Sequence, residues 1–114
     1  MEKISYNFKN RTAIVTGGAQ GFGLDIAKRF LKSEAKVIIW DLDPKAIEKA
    51  TKEMNNSNLS SKIVDVSNFK DVENATKEII KNSNIDILIN NAGITGPTAP
   101  LWEYDIEMWK KIVD

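Results

Sequence analysis

A parallel α/β sheet, wound on both faces and carried only through its first half, is the fold this sequence predicts. Three observations predict it. Short apolar runs alternate along the chain with amphipathic stretches of helical period. The runs are apolar throughout, the pattern of strands covered on both faces. The segment Thr16 to Gly23, TGGAQGFG, lies between the first run and the first helical stretch. Strand, glycine-rich turn, helix is the order that lays a pyrophosphate on a helix N-terminus.

Strand one is expected at about Thr12 to Thr16, after a lead-in over Met1 to Asn10 in which Phe8 is an anchor. Helix one runs from Leu24 to Lys32, with Ile26, Ala27, Phe30 and Leu31 on one face. Strand two is Lys36 to Trp40. Asp43 then reads as an N-cap, with Pro44 at the first helical position. Ala46, Ile47, Ala50 and Met54 line the inner face of helix two, and Asn55 to Asn58 close it as a loop. Strand three is expected at about Ser61 to Val66. Ser67 is the expected cap of helix three, whose inner face carries Val72, Ala75 and Ile79, with Ile80 beside them. Strand four is Ile85 to Asn90. A Gly/Pro/Thr loop from Gly93 to Pro100 follows, then a helix capped by Asp105 with Ile106, Trp109, Ile112 and Val113 inward.

The order is β-α-β-α-β-α-β-α. Right-handed crossovers with one reversal of direction arrange four such strands as 3-2-1-4. Ligands of these sheets sit beyond the carboxyl ends of the strands, at the switch point between strands one and four.

Composition narrows the function classes. The chain has 114 residues, room for one domain, 1–114. It is 42% hydrophobic and 28% charged, with a net charge of zero. That balance gives no electrostatic case for nucleic acid or an anionic membrane. No apolar run approaches the ~18 residues of a membrane span, and the opening MEKISYNFKNR has no apolar signal core. A cytoplasmic location is the expectation. With no cysteine and no histidine, the chain holds no disulfide, thiolate nucleophile, histidine base or histidine-ligated metal.

Four groups of residues fall at the carboxyl edge. In the glycine segment, Gly17 lets the strand turn sharply. Gly21 lets backbone N–H groups approach phosphates without a Cβ in the way, and Gly23 lets the helix pack close on the strand. The spacing is Gly-x-x-x-Gly-x-Gly, not the commoner Gly-x-Gly-x-x-Gly, and the plain alternative is a tight turn. Asp41 ends strand two, 18 residues after Gly23. A carboxylate there can accept from both ribose hydroxyls of an adenosine and repels a 2′-phosphate. No Arg or Lys sits in the glycine loop to offset it, because Gln20 precedes Gly21. NAD is therefore expected over NADP, the alternative for Asp41 being a solvated turn residue. Asp65 and Val66 end strand three, where the carboxylate can accept from an adenine amino group; a loop Asp ahead of the helix cap is the alternative. Asn90, Asn91, Ala92 and Gly93 end strand four. The amides can tie neighbouring loops together, and the small Ala-Gly pair leaves room for a ribose; an Asn/Gly turn is the alternative.

Together these residues resemble the short-chain dehydrogenase/reductase family. TGGAQGFG is similar to the family's Thr-Gly-x-x-x-Gly-x-Gly cofactor loop, and Asn90-Asn91-Ala92-Gly93 to its NNAG motif. Asp41 and the Asp65-Val66 pair stand at matching intervals. The resemblance runs from about residue 9 to the end. It implies a Rossmann-type sheet and hydride transfer between a nicotinamide cofactor and an alcohol or ketone. It implies that Gly17, Gln20, Gly21, Phe22 and Gly23 contact cofactor phosphate or ribose. Asp41 and Leu42 would sit at the adenosine ribose, Asp65 and Val66 at the adenine, and Asn91, Ala92 and Gly93 along the ribose side. Ile94 to Tyr104 resembles bacterial members that act on sugars, sugar acids or 3-oxoacyl groups. A homo-oligomer, built partly through the helix that starts near Asp105, is also implied for a full-length enzyme.

The same resemblance implies a catalytic Tyr with a Lys four residues on, a Ser at the substrate oxygen and an Asn in a proton relay. A phenol needs a nearby cation to work near neutrality. Tyr6 is followed four residues later by Asn10, and Tyr104 by Met108, so the pair is not in this chain. The expectation is the cofactor-binding half of a longer dehydrogenase, inactive alone and prone to associate through the open edge of strand four. Two alternatives stand beside it: a non-catalytic nucleotide-binding module that acts with a partner chain, and a flavin or nucleotide-sugar binder of similar winding.

Overall fold

Every residue of the central strand is buried, and the rest of the fold is arranged around that strand. The computed structural model describes residues 7–91. The elements are β1 (Thr12–Thr16), α1 (Gly21–Lys32), β2 (Lys36–Asp41), α2 (Pro44–Met54), β3 (Leu59–Ile63), α3 (Phe69–Ile80) and β4 (Ile87–Asn90). The sheet is parallel, in the order β3-β2-β1-β4. That is the predicted doubly wound arrangement. The expected final helix and the Gly93–Pro100 loop lie outside the described residues, as do Ala92 and Gly93.

The strand pleat divides the core in two. Val15, Val37, Ile39 and Ile89 point to one face and meet Ala27 and Leu31 of α1 and Ile47 and Ala50 of α2. Ile14, Ile38, Trp40 and Leu88 point to the other and meet Val72 and Ala75 of α3. Successive side chains on a strand point to opposite sides, so runs such as Ile14-Val15 and Ile39-Trp40 must be apolar at every position. Phe8 anchors the lead-in as expected, with its ring edge-on to Phe30 at 5.4 Å.

Several boundaries differ from the sequence reading. Helix α1 begins at Gly21, not Leu24, because the last two glycines of the turn form its first turn. Glycine is a poor helix former, so the helical pattern gave no sign of it. Strand β3 covers Leu59–Ile63, not Ser61–Val66. Among the described residues it lies at the sheet edge and pairs with β2 alone, so Ser60 and Ser61 are tolerated in the ladder. Val64 and Val66 leave the ladder and fill the α3 side of the core. Strand β4 starts at Ile87; ahead of it, the Asp86 carboxylate accepts from the Thr12 N–H at 2.9 Å. Ile80 is at the surface and not on the inner face of α3.

The cap of α3 is Asn68, not Ser67. The Asn68 side chain accepts from the Asp71 N–H at 3.2 Å, while the Ser67 hydroxyl donates to Asp65 Oδ1 at 2.6 Å. Asn68→Ala is therefore expected to cost about 1 kcal/mol, and Ser67→Ala clearly less. Urea melts of the two variants measure this, and equal losses would return the cap to Ser67. Asp43 caps α2 as predicted, accepting from Lys45 and Ala46 N–H groups, with Pro44 in the first turn. Between β3 and α3, Lys62 pairs with Glu78. Its hydrogen bond and charge hold the Glu78 carboxyl below the ordinary value.

Candidate functional site

At the carboxyl end of β1 the chain turns through Gly17 and Gly21, both at φ 62°. These are left-handed conformations that favour glycine. One backbone contact and one side-chain contact hold this turn from both sides of β1. The Gly17 N–H donates to the Trp40 carbonyl of β2 at 2.7 Å. On the other side, the Asn91 side-chain amide, Nδ2, just past β4, donates to the Gly17 carbonyl at 3.4 Å. The turn is thus fixed across the switch point of the sheet, between β1 and β4.

Gly23 and Gly21 serve opposite purposes. A Cβ at Gly23 would run into the Gly17 carbonyl oxygen and approach Asn91 Nδ2 at 2.9 Å. Close packing is therefore required, as predicted, but against the turn itself. A Cβ at Gly21 would have nothing within 4 Å. Its freedom serves the left-handed turn and leaves open space outside the backbone. Behind that space is the N-terminus of α1. Gln20, at the cap position, makes no side-chain capping bond, and no acidic residue lies in the first turn. Helices α2 and α3 both have side-chain caps. The first N–H groups of a helix need acceptors and carry the positive end of its dipole. Phe22 stands out from this turn, 81% exposed.

Asp41 lies where predicted, and its carboxylate faces the glycine turn. Oδ2 accepts from the Ala19 N–H at 3.1 Å and Oδ1 from the Asp43 N–H at 3.1 Å. Leu42, beside it, is exposed. Asp65 is placed differently from the expectation. It is not a strand end but the first residue of a turn, with Oδ1 accepting from the Ser67 N–H at 3.0 Å. It joins the site only through its neighbour, as the Val64 N–H donates to the Asp41 carbonyl at 3.1 Å. Val66 is half-buried against the core.

Two features escaped the sequence reading. The first is Thr16. Its hydroxyl accepts from the Asn91 N–H at 2.8 Å and donates to Asn90 Oδ1 at 3.0 Å. One small polar side chain thus spaces the ends of β1 and β4. Its sequence signal was a Thr closing an otherwise apolar strand. The second is a cleft of about 310 Å³ between α1 and α2, lined among others by Ala19, Gln20, Gly21, Asp43, Lys45 and Lys49. The two lysines are one helical turn apart, a spacing visible in the sequence.

Sheet order, crossovers and the glycine turn at the switch point define a Rossmann-type nucleotide-binding unit. Comparison with known proteins narrows this further. The family model described as short chain dehydrogenase matches residues 11–114. A 2-dehydro-3-deoxy-L-rhamnonate dehydrogenase (NAD(+)) of Sphingomonas sp. (strain SKA58) is 34% identical, over 100% of this chain and 45% of its own length. A 3beta-hydroxysteroid dehydrogenase 2 of Eggerthella lenta is 35% identical, over 90% of this chain and 41% of its own. Among solved structures, a short-chain dehydrogenase/reductase of Brucella melitensis superposes with a TM-score of 0.75 at 26% identity, over 96% of this chain and 47% of that one. The chain belongs to the short-chain dehydrogenase family. It spans about half the length of the curated relatives it matches. Among the described residues, no helix is long and apolar enough to cross a membrane.

Proposed function

We propose that this chain, as one unit over residues 1–114, is the NAD-binding portion of a short-chain dehydrogenase that oxidises an alcohol or reduces a ketone. The observation that carries the reading is the N-terminus of α1, which lacks a side-chain cap and an acidic first turn and faces the open side of Gly21. That arrangement suits a dinucleotide's phosphates, which supply the acceptors and negative charge that a helix N-terminus favours. The bound cofactor supplies the hydride acceptor or donor. The chain's own residues bind and orient it. Gly17, Gln20, Gly21, Phe22 and Gly23 hold phosphate and ribose. Asp41 and Leu42 hold the adenosine ribose, Asp65 and Val66 the adenine. Asn91, with Ala92 and Gly93 beyond the described residues, completes the ribose side.

Asp41 favours NAD over NADP. Each carboxylate oxygen has a second lone pair for a ribose hydroxyl after its backbone bond is made, whereas a 2′-phosphate meets a like charge. Without the Tyr-x-x-x-Lys pair in its sequence, the 114-residue chain binds cofactor but turns over no substrate. The working enzyme is a cytoplasmic homo-oligomer acting on a small alcohol or ketone.

The test is NADH and NADPH binding to the chain and to Asp41→Ala, followed by calorimetry. The variant is expected to lose about tenfold in NADH affinity, the worth of about one hydrogen bond to a charged group, and clearly less for NADPH. Equal losses for both would remove Asp41 from the ribose. Absence of binding to the unaltered chain would remove the nucleotide reading.

A further inference from the structure

The sheet carries another polar cleft at the end away from the glycine turn. It opens at the amino ends of β1, β2 and β3 and has a volume of about 250 Å³. The strand register builds it. Thr12 begins β1 and stands opposite Lys36, which begins β2, while Ser60 of β3 stands opposite Ile38. Alternation along each strand puts Thr12, Lys36 and Ser60 on the side of Ile14 and Ile38, which is the side of α3. Ser83, in the turn after α3, and Ser57 and Asn58, just ahead of β3, extend the lining.

Hydrogen-bond donors meet a cation here, and the chain itself leaves them uncommitted. No carboxylate lines the cleft. Asp86, which accepts from the Thr12 N–H at 2.9 Å, is paired with Arg11 at 3.5 Å. Lys36 makes no ion pair among the described residues. The hydroxyls of Thr12, Ser57, Ser60 and Ser83 have no hydrogen-bond partner among them either. Thr12 weighs most in this, because the residue is only 4% exposed. A side-chain oxygen so nearly buried ordinarily has a partner, and this one lines the cleft instead.

We propose that the cleft is a phosphate site, which takes the free anion or a small monoester. Hydroxyls and an ammonium group all donate to an anion, and hydrogen bonds to a charged acceptor are the stronger class. Donors on three strands and a turn surround the ligand from separate directions, as the oxygens of a tetrahedral group require. The site lies at the opposite end of β1 from the glycine turn and does not depend on the nucleotide reading. Bound there, phosphate bridges three strands and the turn after α3, and so stabilises the folded chain. Lys36 is exposed, so its share of the attraction weakens with salt.

The test is a titration of the isotope-labelled full chain with inorganic phosphate, against chloride at matched ionic strength, read by amide chemical shifts. Saturable shifts are expected at Thr12, Lys36, Ser60 and Ser83. Shifts confined to Gly21, Phe22 and Gly23 would put the phosphate at the start of α1 and overturn the site, as would shifts that chloride reproduces. Lys36→Met and Thr12→Val should each weaken phosphate about tenfold, the worth of about one hydrogen bond to a charged group, while Lys36→Arg keeps most of the affinity. Full affinity in both weakened variants overturns the site. Without phosphate, Thr12→Val should melt no lower than the unaltered chain, since its hydroxyl gives up no partner; a lower midpoint would mean that the hydroxyl serves the fold and not a ligand. Glycerol 1-phosphate, titrated in parallel, separates the two sources: tighter binding than inorganic phosphate marks a phosphorylated metabolite, and equal or weaker binding marks the free anion.

Discussion

Gly23→Ala is expected to dismantle the glycine turn, whereas Gly21→Ala leaves the fold standing and removes nucleotide binding. The two glycines are two residues apart, yet a methyl group meets opposite surroundings at each. At Gly23 the new Cβ would overlap the Gly17 carbonyl oxygen. That atom is backbone and is held in turn by Asn91, so it cannot swing aside as a flexible side chain would. Relief requires α1 to move off the end of β1, which costs at least the ~3 kcal/mol at the upper end of ordinary overpacking. The melting midpoint should fall by more than ~10 °C. At Gly21 the methyl touches nothing. The cost is the left-handed φ of 62°, about 1–2 kcal/mol for a residue with a Cβ. The same methyl stands on the open side of the turn, where the phosphates are proposed to lie. Differential scanning calorimetry and ADP binding separate the two effects. A Gly23→Ala protein that melts normally would mean that α1 is not seated on the turn. Normal ADP binding by Gly21→Ala would move the phosphates elsewhere.

Trp40→Ala carries the other large effect. The side chain is 1% exposed, the largest of the fully buried ones. It packs with Ile14, Val64, Val72 and Ala75, joining two strands to α3 and to the segment that follows β3. Truncating such a residue costs ~3–5 kcal/mol through lost transfer energy and the cavity left behind. Single domains have roughly 5–15 kcal/mol in total, so the variant should lose between about a fifth and all of its stability. The damage should also reach the site, because the Trp40 carbonyl holds the Gly17 N–H. Urea unfolding followed by far-UV circular dichroism tests the stability loss. Trp40→Phe, which keeps most of the volume, should recover more than half of it. A loss below ~1 kcal/mol in Trp40→Ala would contradict the packing described.

The legibility of this fold in its sequence follows the burial of each strand. β1 and β2 lie inside the sheet, so both faces of each had to be apolar, and Thr12–Thr16 and Lys36–Trp40 could be read directly. Among the described residues β3 has a neighbour on one side only. Its ladder tolerates Leu59-Ser60-Ser61, and the apolar cluster that follows drew the predicted strand too far along the chain. The caps divide in a similar way. Asp43 was readable because Pro44 follows it; Ser67 and Asn68 stand side by side, and only three-dimensional contact shows that Asp65 holds the serine. In the site, the positions of the glycines and of Asp41 were legible from spacing. The partners of Asp41 were not, since Ala19 is 22 residues away in sequence. Nor was the role of Thr16, whose partners come from the far end of the described chain.

That last separation bears on when the site comes into being. The Thr16 hydroxyl and the Asn91 N–H are 75 residues apart, while β1 and β2 are joined across a single helix. Closing the longer loop carries the larger entropic cost, and non-local pairings of this kind slow assembly. On a growing chain, β1, β2 and β3 emerge with everything needed to seat the Gly17 N–H and the Asp41 carboxylate. The ~50 residues from Asp41 to Asn91 take roughly 3–10 s to synthesise. Until they are out, the glycine turn hangs from one side only. Fixing of the glycine turn from both sides is thus coupled to the arrival of β4.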